Sequence, residues 1–264
     1  MSAVRRHPLV TFFVLTYALT WWAVPFGGFI PAGPLLAALI VIPLTQGWAG
    51  LRELGSRMIH WRVRWYWYAV AIGLPLAVLL ITVALNVALG AGAPSLGGVG
   101  SLSTILLVFA VRLVNPLDGP MGEEPGWRGF ALPGLQADRS PLLSTLILAL
   151  LVTIWHVPLF FLEGGLQPSV VLGGVLGPFA FTFVASWLFN HTGGSVLVTI
   201  IMHAAEGTVH PEALWSASAA QVGLLYSVVY CVVAIGLVIF DWQLWRGPAP
   251  ATVKPAYGGE RRVR

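Results

Sequence analysis

Long apolar runs alternate with short polar or glycine-rich breaks along almost the whole chain. The runs cover 8–26, 29–48, 68–89, 141–161, 168–190, 195–209 and 221–240, with a shorter one at 101–114. A helix of about 20 apolar residues crosses the roughly 30 Å hydrocarbon core of a bilayer. The pattern therefore predicts an all-α, polytopic membrane helix bundle of about eight transmembrane helices. Prolines inside the runs do not count against helix, because neighbouring helices can satisfy the freed backbone groups. Stretch 49–67 is different: Arg52, Arg57, Arg62 and Arg64 are interleaved with Leu, Met, Ile and Trp. That pattern predicts an interfacial amphipathic segment. Residues 1–245 read as one membrane-embedded helical domain, and the basic, Pro/Gly-rich stretch 246–264 as a disordered tail.

Composition strengthens this reading. The chain is 57% hydrophobic and 9% charged, whereas soluble domains carry about 25% charged residues. The net charge of +4 reads as topology. Arg5 and Arg6, Arg52 to Arg64, Arg128, Arg139 and the tail fall on one side of an eight-span plan. The breaks at 90–100, 163–165 and 211–220 fall on the other side and contain no Lys or Arg. The positive-inside rule then puts both termini in the cytoplasm, with the protein integral to the cell membrane. No basic stripe of the kind that binds nucleic acid is present. The single cysteine, Cys231, excludes an internal disulfide and a Cys-rich metal site. The first run is read as a retained span, not a cleaved signal.

Against this apolar background, Gly122-Glu123-Glu124-Pro125-Gly126-Trp127-Arg128-Gly129 stands out, with His156 and His203 in later runs. Ionisable groups are costly in lipid, so such a cluster is a functional hypothesis by default. Adjacent carboxylates on a helix point about 100° apart and cannot share one task. The i,i+4 spacing pairs Glu124 with Arg128, which leaves Glu123 for chemistry. Pro125 suits the first turn of a helix beginning here, where the dipole favours carboxylates. Glu123, His156 and His203 could hold a divalent metal such as zinc. There is no H-E-x-x-H pair, however, and the favoured reading is a site without a metal or other cofactor. The expected cavity joins Glu123, Glu124, His156 and His203 and opens toward the basic, cytoplasmic loops.

The order of these pieces resembles the CPBP family of intramembrane proteases, which includes CAAX prenyl endopeptidases and bacteriocin-processing or self-immunity proteins. The carrying residues are Glu123-Glu124-x-x-x-Arg128, then Trp155-His156-x-Pro158-Leu159-Phe160, then Asn190 to Ser195 leading to His203-Ala204-Ala205. The motif-bearing core is about 102–213. The resemblance implies an endopeptidase acting on a peptide or membrane-protein substrate at the bilayer. In it Glu123 activates water, His156 holds that water and His203 stabilises the oxyanion, with Glu124 and Arg128 in support. The family pattern has Asn four residues after the second histidine, where this chain has Gly207, beside Glu206. That departure keeps a second reading open, a catalytically weak or inactive membrane partner or self-immunity protein. A proton-coupled transporter is a third. On the peptidase reading, restoring Asn at 207 is expected to raise turnover.

Overall fold

The structure is a computed structural model that describes residues 3–215, 219–250 and 253. The expected break 211–220 lies partly, and the expected tail 246–264 mostly, outside the described residues. Among the described residues all regular structure is helical. The helices are α1 (Ala3–Arg6), α2 (Pro8–Trp21), α3 (Gly33–Met58), α4 (Tyr66–Ala88), α5 (Leu102–Val114) and α6 (Gly119–Gly126), then α7 (Leu132–Gln136), α8 (Pro141–Leu159), α9 (Pro168–His191), α10 (Val196–Glu206), α11 (Ala219–Phe240) and α12 (Trp242–Arg246). A π-helical segment, Trp127–Ala131, joins α6 to α7.

Local sequence explains the boundaries. Ser101, Asp118, Ser140 and Ser195 each accept a backbone N–H at a helix start, the role for which short oxygen-bearing side chains are favoured. Proline lies in the first turn of α2, α6, α8 and α9, where its missing N–H costs nothing. Gly47, with φ of +65°, kinks α3. The apolar run 29–48 and most of the basic stretch after it are thus one bent helix, and a short non-helical connection takes the chain from α3 to α4.

Among the described residues seven segments are long and apolar enough to cross a membrane. One of them, Leu102–Gln136, is not a single rod, because α5, a turn, α6, the π segment and α7 make it up. The run expected at 195–209 forms only α10, 11 residues long. It is too short to span alone and is held inside the bundle against α4, α6 and α9.

Leu106, Leu107, Leu150, Val232 and Ile239 are exposed, as lipid-facing positions should be. Burial concentrates in two places. One cluster joins Phe12, Trp127, Phe130, Trp155 and Phe189. The other joins Ala71, Phe183, Met202, Tyr226 and Tyr230. Helix α6 is pressed against the chain leading into α3. A Cβ on Gly122 would lie 2.8 Å from Pro31 O, and one on Gly126 would lie 2.5 Å from the Pro34 carbonyl carbon. The glycines that bracket the two glutamates are therefore what lets this helix enter the core.

Candidate active site

The two carboxylates are not at a helix start. Asp118 caps α6, its Oδ1 accepting from Gly119 N at 2.7 Å, and Pro120 is the proline of the first turn. Glu123 and Glu124 follow in the second turn, and Pro125 stands near the end of the helix. Pro125 therefore does not mark a helix start as its sequence context predicts, and the carboxylates do not lie at the positive end of the helix dipole. The divergence of the two side chains remains. Trp127 Nε1 donates to Glu123 Oε2 at 3.1 Å, and Arg128 Nη1 donates to Glu124 Oε1 at 2.9 Å. Each carboxylate is held by the residue one turn ahead of it, on a different face.

Glu124 is fully buried and Arg128 nearly so. His203, from α10, adds a third member, since its Nδ1 donates to the same Glu124 Oε1 at 2.9 Å. One carboxylate thus joins two later parts of the motif and fixes the His203 ring with Nε2 on its far side. A Cβ on Gly119 would lie 3.0 Å from Glu123 Oε1 and 3.2 Å from His203 Nε2. The free oxygen of Glu123 and the free nitrogen of His203 therefore face one small space beside the start of α6.

His156 comes from the last turns of α8. Its Nδ1 donates to Val152 O at 2.8 Å, which leaves Nε2 without that proton. The ring is packed edge-on to Trp155, 4.7 Å between centroids, with Phe29 at 6.4 Å. The ring of Phe181, from α9, lies 5.0 Å from His203 and 5.9 Å from the Arg128 guanidinium.

A cavity of about 610 Å³ brings these groups together. Glu123, Arg128, His156, His203 and Glu206 line it, with Phe160, Phe181, Tyr226 and Tyr230 among its apolar walls. Glu124 lies behind that wall, as does Gly207. The cavity uses the end of α8, the first two-thirds of α9, the end of α10 and the first half of α11. It therefore sits at the end of the bundle remote from Arg139 and Arg246. At its own end Trp215 donates to Gly92 O at 2.9 Å and Ser95 N to Leu214 O at 3.0 Å, which ties together two of the breaks that hold no Lys or Arg. The expected opening toward the basic loops is thus corrected: the fifteen-residue advance from Pro141 carries His156 almost the full length of α8.

Glu206 lines the cavity, as does His210, whose Nδ1 lies 3.9 Å from Glu212 Oε2. A Cβ on Gly207 would run into the Arg112 guanidinium. Nothing is missing at 207 in the sense the sequence suggested, because a side chain from α5 already fills the space. An asparagine there would have to displace the end of the Arg112 side chain. Among the described residues no three His, Cys, Asp or Glu side chains are grouped as a metal site requires. Glu123, His156 and His203 as placed do not form such a set.

Residues 101–209 match the Rce1-like family, described as type II CAAX prenyl endopeptidase Rce1-like. A curated relative, CAAX prenyl protease 2 of Methanococcus maripaludis, is 24% identical over 136 residues, 47% of this chain and 48% of the relative. The chain spans about half the length of that relative. The matched segment carries Glu123, Glu124, Arg128, His156 and His203 and forms the helices that hold them. Motif order, helical fold and this match agree in making segment 101–209 similar to the CAAX-type membrane proteases.

Proposed function

We propose that this protein is a membrane-embedded endopeptidase in which Glu123 activates a water molecule. The observation that carries the reading is the division of labour between the carboxylates. Glu124 is committed to Arg128 and His203, while Glu123 lines the cavity with one oxygen directed to the space it shares with His203 Nε2. In the proposed step, water oxygen attacks the scissile carbonyl carbon and its proton passes to Glu123. His156 holds the water through Nε2. With Nδ1 donating to Glu124, a protonated His203 also donates from Nε2 to the developing oxyanion, the kind of interaction that usually contributes most in acyl transfer. When the tetrahedral species collapses the C–N bond breaks and Glu123 returns its proton to the leaving amine. No step of the proposed reaction is routed through a metal.

The substrate proposed is a peptide or membrane-protein segment delivered from the bilayer. The relative's name points to prenylated substrates as the first class to try, and the apolar walls at Leu159, Phe160 and Phe181 suit a greasy chain. On the positive-inside reading both termini are cytoplasmic and the cavity end lies toward the opposite leaflet. The test is to incubate the full chain, purified in detergent, with matched prenylated and unprenylated peptide libraries, beside Glu123→Gln. Cleavage by the wild type that Glu123→Gln lacks is expected. Equal, background-level cleavage by both would favour the non-catalytic partner reading.

A further inference from the structure

The site is built from two short helices that meet end to end. Helix α6 carries Glu123 and Glu124 and begins at its cap, Asp118. Helix α10 carries His203 and ends at its C-cap, Gly207. Arg112, from α5, touches both ends. Its Nη1 lies 3.1 Å from Asp118 Oδ1, and its guanidinium covers Gly207 where a Cβ would project. The placement is electrostatically sound twice over, since a cation is favoured at the carbonyl end of a helix and an acidic cap at the amide end. A side chain at 207, which the backbone there (φ −86°, ψ 4°) would accept, would have to push the guanidinium aside.

Arg112 Nε is buried with no hydrogen-bond partner among the described residues. Helix α5 otherwise buries none of its residues. Its one cation is nevertheless sent inward, between the two helix ends that carry the chemistry.

We propose that Arg112 is a positioning residue: it clamps the cap of the Glu123 helix to the end of the His203 helix, and Gly207 is glycine because Arg112 occupies its side-chain space. The kinetic part of this proposal rests on the endopeptidase reading, while the 112–207 coupling does not. The predicted consequence is that removing the guanidinium lets Glu123 and His203 drift apart. Misplacement by about 1 Å can lower turnover about 10²-fold. KM, set by cavity walls on α9 and α11, should be unchanged.

The experiment compares Arg112→Ala, Arg112→Lys, Gly207→Ala and the double variant Arg112→Ala/Gly207→Ala in the full purified chain. It reads kcat and KM per folded molecule, and Tm. The expected result is a kcat for Arg112→Ala lowered at least tenfold with KM unchanged, and partial recovery in Arg112→Lys. Gly207→Ala should lower kcat and Tm in the wild-type background and leave both unchanged in the Arg112→Ala background, the non-additivity that marks residues in contact. Unchanged kcat in Arg112→Ala, or an equal effect of Gly207→Ala in both backgrounds, overturns the proposal. If the wild type cleaves nothing beyond Glu123→Gln, the endopeptidase reading falls alone. The Tm cycle then decides the clamp: non-additive Tm values keep it, and additive ones remove it.

Discussion

The molecule contains two histidine–carboxylate pairs with nearly the same local chemistry. His203 Nδ1 meets Glu124 Oε1 at 2.9 Å, and His191 Nε2 meets Asp241 Oδ2 at 2.5 Å. Both have aromatic company, Phe181 for the first and Trp67 and Trp187 for the second. Both carboxylates accept a further hydrogen bond, from Arg128 in one case and from Trp187 Nε1 in the other. They differ in surroundings. Glu124 is 0% exposed and backs onto a cavity that also receives Glu123 and His156, whereas His191 and Asp241 are 30% and 21% exposed and line no part of it. A histidine–carboxylate pair therefore does not make a candidate site. What does is a second carboxylate released from pairing, facing enclosed space with another histidine.

Removing that second carboxylate should give the largest effect. Glu123→Gln is expected to lower turnover by about 10²–10⁴, the usual contribution of a positioned acid–base group, while Asp241→Asn leaves turnover within about twofold of wild type. A peptide-cleavage assay on both variants breaks the comparison if the two fall together. Next comes stability. Arg128→Ala strands a buried carboxylate and should cost about 3–5 kcal/mol, measured by denaturant unfolding in micelles. Equal stability of Arg128→Ala and wild type would show that the enclosed pair is no more consequential than the exposed one. His203→Ala should lower kcat by about 10²–10³ if Nε2 helps hold the oxyanion, with binding of an uncleaved peptide kept. His191→Ala, tested in parallel, should cost stability of roughly 0–1 kcal/mol as a partly exposed pair does and leave kcat intact. The smallest effect is expected from chelation. Dialysis against EDTA should leave turnover unchanged, and loss restored by zinc would replace the water reading with a metal one.

Much of this was legible in the sequence because it depends on neighbours along the chain. Apolar run length located α2, α4, α8, α9 and α11 within a few residues, and the i,i+4 rule found the Glu124–Arg128 pair. The start of α6 was legible but misread: Asp118-Gly119-Pro120 is a cap followed by a first-turn proline, and it passed for a break because Asn115 and Pro116 precede it. The rest depends on contacts between distant residues. No spacing rule connects Arg112 with Gly207, or Trp187 and His191 with Asp241. The end of the bundle that holds the cavity follows from which halves of α8, α9 and α11 line it, and an apolar run looks alike in both halves. The shortness of α10 was hidden for a related reason. Thr208 and Val209 extend its polarity pattern smoothly past Gly207, where the helix stops.

The π segment at Trp127–Ala131 has a consequence for how this site tolerates change. A π turn holds one residue more than the α turn it replaces, so the face presented by Leu132–Gln136 is rotated by about 100° from that of an uninterrupted helix. The carbonyl of Gly129 is engaged by another helix, accepting from Arg57 Nη1 at 3.1 Å. Substitutions in this segment alter single contacts, but a one-residue deletion would reset the phase of everything downstream to the loop before α8. The segment is a place where length is under constraint in addition to the identity of Trp127 and Arg128, which hold the two glutamates.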